Sequence, residues 1–467
     1  MSDPTNLPQD SLQAFCSSIA GLLSSRAVLQ GVGVGNANAS PTSALLLHIL
    51  QDTSGRIATI CFAHRVGTAL EPECKTYRLA ADVFNDIAMI LDCLSPGVPA
   101  GPARVIVLST AGVLRALCGV AGGSSKASLS AHFAKGGNLA ELNAKDSSQE
   151  TVISLFGMLV SIPIFNFPSL KTKNPSLTTN PPQVGSVVIS HITSFSTTWL
   201  ILLILLALHL SMNYAAVRAV QMTSLNRQRA NIVFSALLAS DKTLTLDLDL
   251  DPTTLTPCKK DSTILTPAQV AKHERIFPRD GALQWTQHSG TRTITHHLGT
   301  AQIGVSMSTF LGGSASGSTL SAFLGGSASG RKLSAFLGRS VSGSTSFQRT
   351  VPLQRLAAVF ADELYILFLE PLPAGASVTW HASILLKRGC AVGHQLKAWA
   401  HALLAARVLA RITMGSSVDA VLTVVEGTLA LLNTGNRFER YLTGLSGVGW
   451  DVDIAALETR GGRRIDL

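Results

Sequence analysis

The chain reads as a mainly α-helical protein: a multi-helix transmembrane bundle, then a disordered linker, then a small C-terminal α+β domain. Charged residues make up 14% of its 467 residues, against roughly 25% in an ordinary soluble protein. The mean hydropathy is +0.32. Trp199 to Val217 reads WLILLILLALHLSMNYAAV, and no Asp, Glu, Lys or Arg occurs from Asn174 through Val217. A bilayer core takes roughly 20 residues of helix, so this stretch is long enough to cross one. Arg218, Arg227 and Arg229 follow it, the basic edge expected where a span emerges on the cytosolic side.

Residues 1–11 read as a flexible tail. The apolar segments run in order from there. The first, Ala27 to Gln51, carries GVGVGNANAS in its middle; the second, Ile57 to Leu70, is short and holds His64 and Arg65. The third, Leu79 to Leu94, carries three acids. The fourth, Val105 to Ala121, has Arg115 as its one charge, and the fifth, Thr151 to Phe167, has none. The sixth, Val184 to Val217, contains the apolar run above and exceeds one span. Residues 12–236 are therefore expected to form a bundle of about four to six membrane helices. The polar stretch 237–350 reads as a linker. It holds three Gly/Ser-rich copies of a 13-residue unit, beginning FLGGSASG at Phe310 and Phe323 and FLGRSVSG at Phe336, too short and flexible for a solenoid.

Residues 351–467 read as a folded domain. ELYILFLE and SVTWHASILLKRG have the β-branched and aromatic content of strands between turn signals. VGHQLKAWAHALLAARVLARI predicts a helix with an apolar face at Leu396, Trp399, Ala400, Leu403 and Leu404. SVDAVLTVVEGTLALLNT predicts a second helix closing near Gly435, and the tail adds a strand.

Composition excludes several classes. The net charge is +9 and the pI about 9.4, yet no dense Lys/Arg run with interleaved aromatics marks a nucleic-acid surface. Basic loops facing anionic lipid account for the charge. The seven cysteines, Cys16, Cys61, Cys74, Cys93, Cys118, Cys258 and Cys390, form no CxxC pair. Their odd number and apolar settings speak against a disulfide framework or zinc site and fit a reducing compartment. MSDPTNLPQDSLQAF has neither a basic region followed by an apolar core nor the Arg-rich character of a transit peptide, so no cleaved signal is expected. There is no HExxH and no GxSxG. His296 and His297 are adjacent and read as exposed loop residues. The chain is not expected to be an enzyme, and no cofactor or metal is expected.

Candidate chemistry lies in the third segment, YRLAADVFNDIAMILDCLSP. At 100° per residue, Asp82, Asn85, Asp86, Met89 and Asp92 fall within roughly a 120° stripe. Carboxylates in hydrocarbon are costly and mark ion, proton or substrate pathways. The alternative is a surface helix with a solvated acidic face. A second polar cluster, Asn138, Glu141, Asn143, Lys145, Asp146, Gln149 and Glu150, precedes the fifth apolar segment. Ser147 and Glu150 match a capping box that would start a helix there. GVGVGNANAS does not complete a phosphate-loop pattern, and its small residues suit close helix packing. DTSGR, Asp52 to Arg56, suits a helix–helix turn, with Arg56 placed to pair with a nearby acid.

GVGVGNANASPTSALLLHILQDTSGR, KTYRLAADVFNDIAMILDCLSP, RALCGVAGGSSKASLSAHFA, GNLAELNAKDSSQET and TWLILLILLALHLSMNYAAVRAV…LNRQRA, in this order, resemble the core domain of the root UV-B sensitive (RUS) family. The resemblance runs from Leu12 to Ala236; the C-terminal end is similar to the family more loosely, and the FLGG repeat has the look of an insertion. It implies a eukaryotic membrane-associated protein, with plant relatives linked to seedling UV-B responses, auxin transport and vitamin B6 status. It supplies no catalytic residues to carry over. Some plant members are plastid proteins, a location not carried over without a transit signal.

The expectation is a multi-pass protein of an intracellular membrane, its C-terminal domain cytosolic, that transports or senses a small polar metabolite, with vitamin B6 compounds the class the resemblance suggests. Asp82, Asn85, Asp86 and Asp92 are the candidate pathway residues, with Asn138, Lys145 and Asp146 gating or pairing. The alternative is a non-transporting membrane scaffold that presents its C-terminal domain to protein partners. The expected partners are the lipid bilayer, the metabolite and such a protein, with no nucleic acid.

Overall fold

The computed structural model describes residues 7–32, 41–134, 137–160, 195–241, 244, 264–289, 292–311, 352–372, 379–411, 417–460 and 464–465. The chain divides into two compact units, residues 1–223 with 267–278, and residues 224–266 with 279–467. Most of Gly31 to Ser40, Pro163 and the repeats from Gly312 onward lie outside the described residues.

The first unit is helical. Its helices are α1 (Leu7–Gly31), α2 (Pro41–Val66), α3 (Cys74–Leu94), α4 (Pro102–Phe133), α5 (Leu139–Val160) and α6 (Phe195–Ala219). Pro102 sits in the first turn of α4, where a missing N–H costs nothing. The helix α3 lies at the centre, packed against α1, α4 and α6, while α2 packs on α4 and α5 on α1. A Cβ added at Gly55 of α2 would lie 3.2 Å from Ala116 Cβ of α4, so small residues set that close approach, as between membrane helices. An apolar layer of Ala20, Leu23 and Ala27 (α1), Met89 and Cys93 (α3), and Leu202 and Leu206 (α6) fills the middle of the unit. The short helix α7 (Pro267–His273) also belongs here and touches α6.

Three expectations need correcting. DTSGR is no turn: it lies inside α2, where Arg56 pairs with Asp52 one turn away at 2.9 Å, as an i,i+4 spacing allows. The first apolar segment is split, because α1 ends at Gly31 and α2 starts at Pro41. Ser147 and Glu150 do not start a helix, since α5 begins at Leu139; Ser147 offers its carbonyl to Thr151 Oγ1 at 2.8 Å.

The second unit is α+β. It opens with α8 (Arg227–Ser240), capped by the Asn226 side chain, which accepts from Arg229 N at 2.9 Å. A hairpin follows, β1 (Ala282–Ser289) and β2 (Arg292–Ile303), then α9 (Met307–Phe310) and α10 (Leu353–Val359). Next come β3 (Tyr365–Leu372), β4 (Thr379–Lys387), α11 (Val392–Leu409), α12 (Val418–Asn433), α13 (Arg437–Gly447) and β5 (Arg464–Ile465). The sheet order is β1-β2-β4-β3, with β5 also on β4. The strands β2 and β4 run parallel, and β3 runs antiparallel to β4.

The helix α11 packs on the sheet, on α8 and on α12, and buries the face expected of it, Leu396, Trp399, Ala400, Leu403 and Leu404. Trp399 Nε1 donates to Asn231 Oδ1 at 2.9 Å, and Asn231 Nδ2 donates to the Ala282 carbonyl at 2.6 Å. Two boundaries move as a result. Residues 227–240 form part of the α+β unit, and the expected linker contains a sheet hairpin. His296 and His297 are exposed but stand on β2, not in a loop.

Among the described residues, four stretches are long and apolar enough to cross a membrane: Leu12–Gly31, Pro102–Phe133, Ser196–Ala219 and Val418–Gly447. The first three lie in the first unit. The fourth is two helices, α12 and α13, broken where Gly435 and Asn436 take φ of 60° and 51°. Its α12 face of Val421, Leu422, Val425, Leu429 and Leu432 is buried against α11 and β3, the packing of a folded domain.

Candidate functional site: a buried acidic stripe

On α6 the usual sidedness is inverted. Leu200, Leu203, Ile204 and Leu208 are exposed, whereas Leu202, Leu206, His209 and Asn213 are buried. Apolar side chains facing out and polar ones facing in fit a lipid surround. The buried polar residues meet α3.

The acids of α3 enter three settings. Asp92, 1% exposed, accepts from Ser24 Oγ of α1 at 2.7 Å and from the Arg115 guanidinium of α4. Arg115 Nη2 also reaches Ser24 Oγ at 3.0 Å, closing a triangle across three helices. Six residues earlier on α3, Asp86 Oδ1 lies 2.8 Å from His209 Nδ1. Asn213, one turn further along α6, offers Nδ2 to His209 Nε2 at 3.1 Å. With Asn213 donating, the imidazole proton sits on Nδ1 and is donated to Asp86, a tautomer assigned from partners. Asp82, 7% exposed, is the third setting. The Oδ2 atoms of both Asp82 and Asp86 are buried without a hydrogen-bond partner.

Two buried carboxylate oxygens without donors are costly, because buried acceptors are nearly always satisfied. Lys75 lies on the same line of α3, seven residues before Asp82, but its ammonium is held by Glu274 Oε2 at 2.5 Å. Near Asp82 the Arg78 guanidinium, one turn before it on α3, and then His209 supply the favourable field, and Asp86 has the His209 Nδ1 donor, yet neither Oδ2 gains a hydrogen bond from them. A ligand bringing donors or positive charge would complete the pair.

The sequence-derived candidates divide. Asp82, Asp86 and Asp92 are buried inside the helical unit and Asn85 is half-buried beside them. This places the acids away from bulk water, contrary to the surface-helix alternative. Asn138, Lys145 and Asp146 are exposed. Lys145 pairs with Glu141 at 2.5 Å and Asp146 with Lys126 at 2.8 Å, so they are held on the surface and do not join the stripe. Sequence reasoning missed Ser24, His209 and Asn213. The signal for His209 and Asn213 was present: two polar residues one helical turn apart inside the most apolar run of the chain.

The basic edge after α6 also changes meaning. Arg229 is buried, its Nε donating to the Ser224 carbonyl at 2.6 Å, and Arg227 pairs with Asp280 at 2.7 Å. Both serve the second unit, and only Arg218 remains an exposed charge at the end of α6.

Long apolar helices with exposed aliphatic faces and a buried ionic stripe define a class: helical proteins of membrane character, here with a separate α+β unit. Residues 8–241 match a family model described as the vitamin B6 photo-protection and homoeostasis domain. The chain belongs to the root UVB sensitive, or RUS, family. It is 41% identical over 226 residues to RUS family member 1 of Dictyostelium discoideum, covering 48% of this chain and 38% of that protein. It is 30% identical over 269 residues to root UVB sensitive 3 of Arabidopsis thaliana, covering 58% of this chain and 51% of that protein. The chain therefore matches about half the length of these relatives, or less. No solved structure matches it.

Proposed function

We propose that the helical unit is a multi-pass membrane domain that binds, and transports or senses, a small polar metabolite of the vitamin B6 type. The observation that carries this reading is the pair of unsatisfied carboxylate oxygens on Asp82 and Asp86, buried beside His209 in an apolar bundle. B6 vitamers carry a basic pyridine nitrogen, and an aspartate is the usual protein partner of that nitrogen in enzymes that use the phosphorylated form. The family's description, vitamin B6 photo-protection and homoeostasis, supports the same ligand class. No step in this reading is catalytic. The Asp92–Ser24–Arg115 triangle would brace the bundle at one end of the stripe. Cytosolic placement of the second unit now rests on Arg218 and the general positive-inside bias.

The test is complementation of a strain lacking the gene, with intracellular B6 vitamers measured by mass spectrometry. Asp82→Asn combined with Asp86→Asn keeps the shape and removes the charge. The double variant, at normal protein level, is expected to leave the vitamer profile of the deletion strain unchanged. Full restoration by that variant would retire the transport or sensing reading in favour of a scaffold that presents the α+β unit.

A further inference from the structure

The α+β unit carries a basic cluster of its own. Trp285 of β1 and His296 of β2 are direct antiparallel partners, so their side chains share one face of the hairpin. The Arg407 guanidinium of α11 lies over the Trp285 ring, 5.4 Å from its centroid, a cation–π distance. Arg411 stands in the turn just past the end of α11, its N–H on the Val408 carbonyl at 3.0 Å, near enough for its charge to act on Arg407 and His296. Among the described residues Arg407 has no carboxylate partner. Burial and then Arg411 bring the Arg407 guanidinium down to about 10. Burial, then Arg407 and Arg411, hold the His296 imidazole below its usual value. Arg407, lying on the Trp285 ring without a carboxylate, is the cation an added anion would favour most.

An independent feature marks the same place. Trp285 is 5% exposed, and its indole Nε1 is buried without a hydrogen-bond partner. A buried N–H donor is rarely left unmet. A guanidinium, a second guanidinium, an imidazole and an unmet N–H are the donor set that binds tetrahedral oxyanions.

We propose that Trp285, His296, Arg407 and Arg411 form an anion site that takes a phosphate monoester. The phosphate can come from a soluble phosphorylated metabolite or from a phosphomonoester lipid headgroup at a membrane surface. The site is independent of the acidic stripe, so failure of either proposal leaves the other standing.

The test uses the full chain in phosphatidylcholine nanodiscs and radiolabelled inorganic phosphate in equilibrium dialysis at low salt. One phosphate per chain is expected, and Arg411→Gln, an exposed position, should weaken it by about tenfold or more, as loss of a charge-assisted contact does. Arg407→Gln should weaken it at least as much. Melting temperatures of both variants are compared with that of the unaltered chain, so that misfolding is not read as lost binding. In a second arm the nanodiscs contain phosphatidic acid. Displacement of the labelled phosphate assigns the site to the lipid, and unchanged binding assigns it to a soluble ester. No phosphate binding in either arm, or binding indifferent to both substitutions in folded protein, overturns the proposal.

Discussion

Asp92 and His401 show how single buried groups set the stability of each unit. Asp92 joins α1, α3 and α4 through Ser24 and Arg115. Asp92→Ala removes the anion and leaves Ser24 and Arg115 facing each other. Because Arg115 is partly exposed, water screens part of the loss, and the expected cost is about 1–3 kcal/mol. It is read as a lower melting temperature in detergent; a variant as stable as the parent would show that the triangle is not a structural brace. His401 is fully buried in the second unit. Its Nε2 faces the Val425 carbonyl at 3.0 Å, which can only accept, so Nε2 carries the proton and Nδ1 accepts from Tyr365 OH at 3.0 Å. Burial lowers this imidazole from 6.5 to about 3. The unfolded chain takes up a proton below pH 6.5 that the folded chain does not. Stability is thus full above about 6.5 and falls as pH drops toward 3, by about 1.4 kcal/mol per pH unit in that window. Urea midpoints across pH should follow that slope, and His401→Gln should flatten it.

The elements differ in how openly the sequence announced them. The acidic face of α3 was legible because Asp82, Asp86 and Asp92 fall within one stripe of about 120° in an apolar background. The partners of those acids were not, since Ser24, Arg115 and His209 come from three other helices and only tertiary packing joins them. The start of α5 was misplaced because a capping-box pattern also occurs inside helices, and Glu150 is used instead to pair with Lys126 at 2.9 Å. The β1–β2 hairpin was missed because TRTITHHLGTAQI is polar, though its Thr and Ile content favours strand. Gly299 is decisive in that hairpin. Its φ is 146°, and a Cβ there would lie 1.8 Å from the Trp380 carbonyl oxygen. Gly299→Ala should therefore cost about 3 kcal/mol or more by parting β2 from β4, seen as a lowered unfolding midpoint of the second unit. On α6, Leu203→Glu introduces a carboxylate on the exposed aliphatic stripe. In lipid it should impair insertion, at about 2.5–3.5 kcal/mol for a central charge, and reduce the alkali-resistant membrane fraction. Unchanged membrane retention would contradict lipid contact on that face.

At the scale of the molecule, two units of different character share the chain. The family match, residues 8–241, takes in the helical unit and also α8, whose Asn231 is tied to Trp399 and Ala282. Cutting the chain at the end of the matched region would strip α8 of those partners, so deletion of residues 351–467 is a poor probe of what the second unit does. Point substitutions on the two sites, compared at equal melting temperature, separate their contributions. The central claim is that Asp82 and Asp86 await a donor or a cation from a B6-type ligand. Its most direct test is equilibrium binding of radiolabelled pyridoxine to the full chain in nanodiscs, with Asp82→Asn/Asp86→Asn as the comparison. The account predicts saturable binding by the parent chain and its loss in the double variant at equal melting temperature. Equal binding by the two proteins, or none by the parent, would contradict it.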